Sequence, residues 1–238
     1  MLCAAIDIGS NTTRVLVAEP REGQLRTVME QRTYTRIGKS ARKNGSIKEE
    51  MVARIADTVA TQVRLAEEVG AGAIKTVATA AIRDADNRDE VVAEIERVAG
   101  VEVEVLSEHE EGRLAFIGAT KTLGHPTGGE IGVVDVGGGS TEVITGTIAQ
   151  GVGEVHSFAI GSGSLADTFL ASDPPSPSEL RAVREHIAEF FEGADLPQPA
   201  QAVAVGGSAT SLRKVVGAVL EYETLERAMR IFASDEVA

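Results

Sequence analysis

The stretch AIDIGSNTTRVLV (5–17) returns 128 residues later as VVDVGGGSTEVIT (133–145), with Asp7 matched to Asp135, Gly9 to Gly137, Thr13 to Thr141 and Val15 to Val143. Each copy reads as an apolar strand ending in Asp, a Gly/Ser/Asn turn and a second strand. That is a tight β-hairpin whose free backbone N–H groups can cradle phosphate, because Gly permits positive φ and close approach. One such turn is common for structural reasons alone. Two copies, with Asp at the same place, confine the chain to two related lobes that face each other.

The rest of the sequence fits layered lobes. Val/Ile/Thr-rich runs between Gly and polar breaks predict strands at 3–8, 13–19, 25–35, 73–78, 101–106, 131–136, 141–147, 152–159 and 201–206. Helical patterns lie near 47–69, 87–99, 108–123, 162–171, 177–192 and 208–220. The first places Met51, Ile55, Val59, Val63 and Ala66 on one stripe behind a capping box of Ser46 and Glu49. A second box joins Ser176 to Glu179, with Pro177 at the first helical position. Strands alternating with helices give an α/β class. With no Trp, two Tyr and six Phe, the core must be Val, Ile, Leu and Ala, which disfavours the stacking platforms of single-stranded nucleic-acid binders. No apolar run approaches the roughly 20 residues of a bilayer span. A lone Cys3 and a start, MLCAAIDIGS, that lacks a basic segment and carries Asp7 point to a reduced, cytoplasmic protein.

Charge is uneven. Residues 1–48 carry nine Lys/Arg against four Asp/Glu, and residues 49–238 fourteen against thirty-two. The bulk field repels polyanions. The segment holding Arg14, Arg32, Arg36, Lys39, Arg42 and Lys43 can attract them locally, or is simply a solvated edge hairpin and loop.

Several positions are suited to chemistry. Asp7 and Asp135 end apolar strands, where a carboxylate either organises its own turn or binds a metal or a phosphate-bound water; the duplication favours the second. In LSEHEEGRLAFIG (106–118), Ser107 and Glu110 have capping-box spacing. Glu111 projects about 100° further round the helix and is suited to orient or deprotonate a water, unless both acids merely complement the helix dipole. Arg83 in VATAAIRDADN (77–87) is a candidate anion clamp that could equally pair with Asp84 or Asp86. VAVGGSATS (203–211) is a third strand, turn and helix start of phosphate-binding type, through Gly207 and Ser208. The four His are scattered, no Cys/His metal pattern exists, and neither a P-loop nor a G-x-S-x-G elbow is present.

In this order and spacing, AAIDIGSNTTRVLVAE, VATAAIRDADN, LSEHEEGRLAFIGA, VVDVGGGSTEV and AVGGSATSL resemble the exopolyphosphatase and guanosine pentaphosphate phosphohydrolase (Ppx/GppA) family from residue 3 to about 215. The resemblance implies duplicated ribonuclease-H-like lobes of the actin, Hsp70 and sugar-kinase superfamily, here 1–125 and 126–238, with the active site between them. It implies Glu111 as catalytic carboxylate. Mg²⁺ or another divalent cation would sit at Asp135 with Asp7 and Glu142. Phosphates would be held by Gly9, Ser10, Asn11, Thr12, Arg83, Gly137, Gly138, Gly139, Ser140, Gly207 and Ser208. The implied reaction is release of terminal orthophosphate from inorganic polyphosphate. Alternatives are a guanosine pentaphosphate 5′-phosphohydrolase, an ATP-binding phosphotransferase or a non-catalytic sensor of the same superfamily. Neither nucleic acid nor a membrane is an expected partner. Glu108 and Gly112 stand where the family has Gly and Ala, which is expected to weaken polyanion binding and loosen the helix start. Relatives of the two-lobe type continue beyond this pattern, so the second lobe is expected to be shortened at its C-terminus, and a homodimer to cover what it exposes.

Overall fold

A computed structural model of the chain describes residues 1–121, 123 and 128–232. Two mixed sheets form, and the 128-residue repeat holds strand by strand. In lobe one, β1 (Cys3–Ile8) pairs antiparallel with β2 (Thr12–Arg21), which pairs with β3 (Gln24–Tyr34). On its other side β1 runs parallel to β4 (Ala73–Ala78), which is followed by β5 (Val103–Val105). The order is β3-β2-β1-β4-β5. In lobe two, β6 (Ile131–Val136), β7 (Thr141–Thr147), β8 (Gly151–Phe158) and β9 (Gln201–Val205) give β8-β7-β6-β9, the same order without a fifth strand among the described residues. Asp7 pairs with Arg14 across the hairpin and lies beside Val77; Asp135 pairs with Glu142 and lies beside Val205, each partner again 128 residues on. These are the expected duplicated ribonuclease-H-like lobes.

Lobe one is built on α2 (Glu49–Glu68), which buries Val52, Ile55, Ala56, Val59, Gln62, Val63 and Ala66 against β1 and β2. The stripe is the expected one except that Val52, not Met51, is its first buried member. The Ser46–Glu49 capping box does not form. The N-cap is Lys48, without a side-chain cap, and the chain before it is fixed instead by Asn87, whose amide exchanges two hydrogen bonds of 2.9 Å with the backbone of Ile47. The other predicted box, Ser176 with Glu179, does form at the start of α7 (Pro177–Phe190).

Two short helices escape the sequence reading. α1 (Ile37–Asn44) replaces the expected loop in the basic segment, and α3 (Ala80–Arg83) follows β4 directly. Lys39 on α1 reaches Asp167 of α6 (Ser162–Phe169), 3.5 Å away in lobe two, so it bridges the lobes; the side chains of Arg42 and Lys43 lie outside the described ones. After α4 (Arg88–Ala99) and β5 comes α5 (Glu108–Lys121), whose Phe116 and Ala119 enter the small core of sheet two with Ile131, Val133 and Ile144. The boundary expected at 125/126 falls outside the described residues. α5, on its N-terminal side, packs against β6, β7 and β8. Gly112 has a packing role in this helix. A Cβ there would stand 2.6 Å from Val155 Cγ1, so its absence lets α5 sit close on β8. Lobe two ends in α8 (Gly206–Val216) and α9 (Tyr222–Phe232). None of α6, α7 and α8 carries a fully buried residue, in contrast with the dense Ile/Val core of lobe one.

Candidate active site

The two hairpin turns close in the same way. Gly9 N donates to Thr12 O at 2.9 Å, and Gly137 N donates to Ser140 O at 3.0 Å. The loops face each other across the cleft: a Cβ on Gly138 would lie 2.9 Å from Asn11 Cβ. The second loop is also clamped from behind. Ser162 N and Ser164 N, at the start of α6, donate to Gly137 O and Gly138 O at 2.9 Å each. Gly161, just before them, leaves only 2.7–2.8 Å between an added Cβ and the backbone of Gly138 and Gly139. Gly161→Ala must therefore move the loop. The expected outcome is a melting temperature lower by several degrees, corresponding to about 1–3 kcal/mol of overpacking, with a raised KM for phosphate-chain substrates. Thermal melts and steady-state kinetics on the purified variant check both.

Between the loops opens a cleft of about 910 Å³. Its wall includes Asp7, Gly9, Ser10, Asn11, Thr12, Glu111, Asp135, Gly137, Gly138, Gly139, Ser140, Glu142, Gly207 and Ser208. Every residue expected at the site except Arg83 thus lines one cavity. Five carboxylates line it, Glu30 and, closer to the loops, Asp7, Glu111, Asp135 and Glu142, and repulsion among the latter four is visible. Asp7 is open to the cleft yet walled by protein, and its pKa is pushed up to about 6 by desolvation first, then by Glu111 and Asp135, against Arg14. Asp135 is likewise raised to about 6, by desolvation and by Glu111. Glu142, 2% exposed, is raised to about 7 by burial and Glu111, with a smaller push from Asp135, despite hydrogen bonds from the hydroxyls of Ser140 and Ser157.

Glu142 therefore makes stability depend on pH. Its folded pKa lies above its ordinary value, so its contribution is complete below about pH 4.5 and lost as the pH rises through about 7, with an upper bound on the order of 3 kcal/mol. Without added metal, Glu142→Gln should melt several degrees above the parent at pH 8, with the gap closing at pH 5. A variant that melts lower at both pH values would overturn this reading.

Arg83 is placed differently from expectation. It does not line the cleft; Nη1 donates to Glu111 Oε2 at 2.7 Å and to Leu106 O at 3.2 Å, while Nε, 3.4 Å from Asp84, is buried without a hydrogen bond. Burial opposes its charge, but the bond to Glu111 and the nearby acids hold its pKa above the usual value. In this structure the guanidinium pairs with the Glu111 carboxylate. Glu110 and Glu111 do divide as the helix geometry requires. Glu110 stays out of the cleft: its N–H donates to Ser107 Oγ at 3.2 Å and its carboxylate accepts from Arg113 at 2.6 and 2.8 Å. Glu111 turns into the cleft.

The basic segment contributes Arg14 and Arg32 to an outer wall, where β2 and β3 face α8; sequence reasoning missed its other members, Glu30, Tyr34, Thr210, Ser211 and Lys214. The signal was present as alternation: Glu30, Arg32 and Tyr34 share one face of β3 by period two.

Compared with known proteins, residues 16–235 match the model of the Ppx/GppA phosphatase family. The chain belongs to that family. An uncharacterised protein of Streptomyces coelicolor is 32% identical over 224 residues, 92% of this chain and 66% of the relative. Exopolyphosphatase 1 of Mycobacterium tuberculosis is 29% identical, over 92% of this chain and 64% of its own length. The chain thus spans about two thirds or slightly less of these relatives. Among solved structures, the Aquifex aeolicus Ppx/GppA family member superposes with a TM-score of 0.78 at 31% identity, covering 98% of this chain and 79% of the other. An exopolyphosphatase from Cytophaga hutchinsonii, 22% identical, shares the fold with the same TM-score over 100% and 73% of the two chains.

Divalent cations are general in the Ppx/GppA family. Among the described residues no three acidic, His or Cys side chains converge tightly enough to define a ligand set. The residues nevertheless fit a hard cation: three oxygen donors, Asp7, Asp135 and Glu142, line one cavity with raised pKa values that a bound positive charge would relieve. No helix among the described residues is long and apolar enough to cross a membrane.

Proposed function

We propose that the chain is a phosphoanhydride hydrolase that removes the terminal phosphoryl group of inorganic polyphosphate. The observation that carries this reading is a single cavity lined by both duplicated Gly-rich loops and by Glu111. Backbone N–H groups of the two loops and of the Gly207–Ser208 helix start would hold the phosphate oxygens. Glu111 would orient a water for in-line attack and take up its proton, with Arg83 fixing the carboxylate in place. A divalent cation at Asp7, Asp135 and Glu142 would offset charge on the transferred group. The positive end of α8 and the loop donors stabilise the same charge without any moving part.

A second reading, hydrolysis of the 5′ γ-phosphate of guanosine pentaphosphate, is favoured by one observation, the aromatic and cationic outer wall at Arg32 and Tyr34. Phosphate release from polyphosphate, guanosine pentaphosphate and ATP, measured side by side, tests both. Turnover of ATP alone, with transfer to an acceptor, would replace them with a phosphotransferase.

A further inference from the structure

Each Gly-rich loop is braced from behind by a short helix that follows the third strand of its own lobe. In lobe one, Gly38 N in the first turn of α1 donates to Ser10 O at 2.8 Å, and Arg36 N, just before the helix, donates to Asn11 O at 2.9 Å. In lobe two, Ser162 N and Ser164 N in the first turn of α6 do the same for Gly137 O and Gly138 O. The first N–H groups of a helix have no partner inside it, and here loop carbonyls satisfy them. Carbonyl oxygens that would repel a phosphate are thereby tied back from the cleft. The chain enters α1 through Arg36 at φ 54°, a left-handed conformation uncommon outside glycine.

Both braces are anchored at their far ends. Beyond α1, Gly45 O accepts from Asp86 N at 2.9 Å, in the segment that follows Arg83. Phe169, the last residue of α6, lies against His186 of α7, with ring centroids 5.0 Å apart. The braces also meet each other: α1 packs on α6, and Lys39 Nζ stands 3.5 Å from Asp167 Oδ1 in the opposite lobe. In front, the two loops meet at Asn11 and Gly138. One point of contact leaves two bodies free to swivel. A second contact, behind the loops, removes much of that freedom.

We propose that Lys39 and Asp167 are positioning residues: they close a strut, α1 against α6, that fixes the spacing and mutual tilt of the two loops. The proposal rests on the phosphohydrolase reading only for what the loops hold. The pair is exposed, so its own attraction is small; an ion pair of this kind shifts an equilibrium by up to about fivefold and weakens with salt. Reversing one charge replaces attraction by repulsion between two helices whose other ends are held.

Asp167→Lys is the decisive variant. It adds positive charge beside the basic segment and would improve use of a polyanion if Lys39 served only to attract one. With the strut, it should lower kcat/KM about threefold to tenfold at low salt, on tripolyphosphate and on long chains alike. Lys39→Glu should do the same, and the Lys39→Glu, Asp167→Lys exchange should return to within about twofold of the parent, with melting temperatures alike across the set. A gain from Asp167→Lys, or no recovery in the exchange, would overturn the proposal. In a Glu111→Gln background, calorimetry with tripolyphosphate and Mg²⁺ should rank the affinities in the same order. A zero-length carbodiimide should join Lys39 to Asp167 by an amide recovered in the peptide digest, in equal yield with and without tripolyphosphate. No such cross-link, or a yield that collapses when the ligand is added, would also sink the strut. If the parent protein hydrolyses no phosphate substrate, the phosphohydrolase reading fails while the cross-link still decides the α1–α6 contact.

Discussion

Replacing Glu111 by Gln is expected to lower kcat for phosphate release by about 10² to 10⁴, the usual consequence of losing a general base. Folding should survive. The side chain makes one ion pair, to Arg83, and a Gln oxygen in the same place still accepts from that guanidinium. The neighbouring Glu110→Gln removes the paired hydrogen bonds to Arg113 at the exposed start of α5 and should lower the melting temperature only slightly while leaving the rate within a few-fold. Initial rates and thermal melts on the two variants separate the roles. Equal loss of rate in both, with unchanged melting, would show that the helix geometry does not divide them.

Removal of divalent cations is the second large effect. With three carboxylates of raised pKa facing one cavity, excess chelator should abolish turnover, and Mg²⁺ should restore it. Asp135→Asn removes one oxygen anion from the set and should raise the Mg²⁺ concentration for half-activity by tenfold or more. Metal titrations of initial rate measure both. Full activity in excess chelator would remove the cation from the mechanism.

Much of this site was legible because it is written twice. At the Gly positions of the repeat an added Cβ would stand 3.2 Å from Thr12 O in one copy and 3.1 Å from Ser140 O in the other, which leaves little room for a side chain, and the structure returns the same turn hydrogen bond at Gly9 and Gly137. The repeat runs further than identical letters show: α2 begins at Glu49 and α7 at Pro177, again 128 apart, although one N-cap is Lys48 and the other Ser176. Helix α1 was illegible because Ile37 is the one large buried side chain among its described residues and the sequence around it shows no apolar stripe, and four-residue α3 is too short to show one. The Arg83–Glu111 pair spans 28 residues, and spacing along the chain does not reveal which of several nearby acids an Arg will choose. Glu30 and Tyr34 were missed because exposed, alternating residues on an edge strand look the same whether they face open water or a cleft, and for the same reason Arg14 and Arg32 could be read as cleft or as solvated edge.

Helix α5 has a consequence for how catalysis is timed. Its entry is tied to lobe one, through Leu106 N donating to Ala78 O and through Arg83, while its body belongs to the core of lobe two. Any rotation of one lobe against the other is therefore felt as torque at the first turn of α5, where Glu111 sits. On the proposed mechanism, Glu111 would keep its aim on a water only while the contacts of α5 with both lobes hold together, so closing of the two halves on a phosphate chain would couple binding to proton uptake.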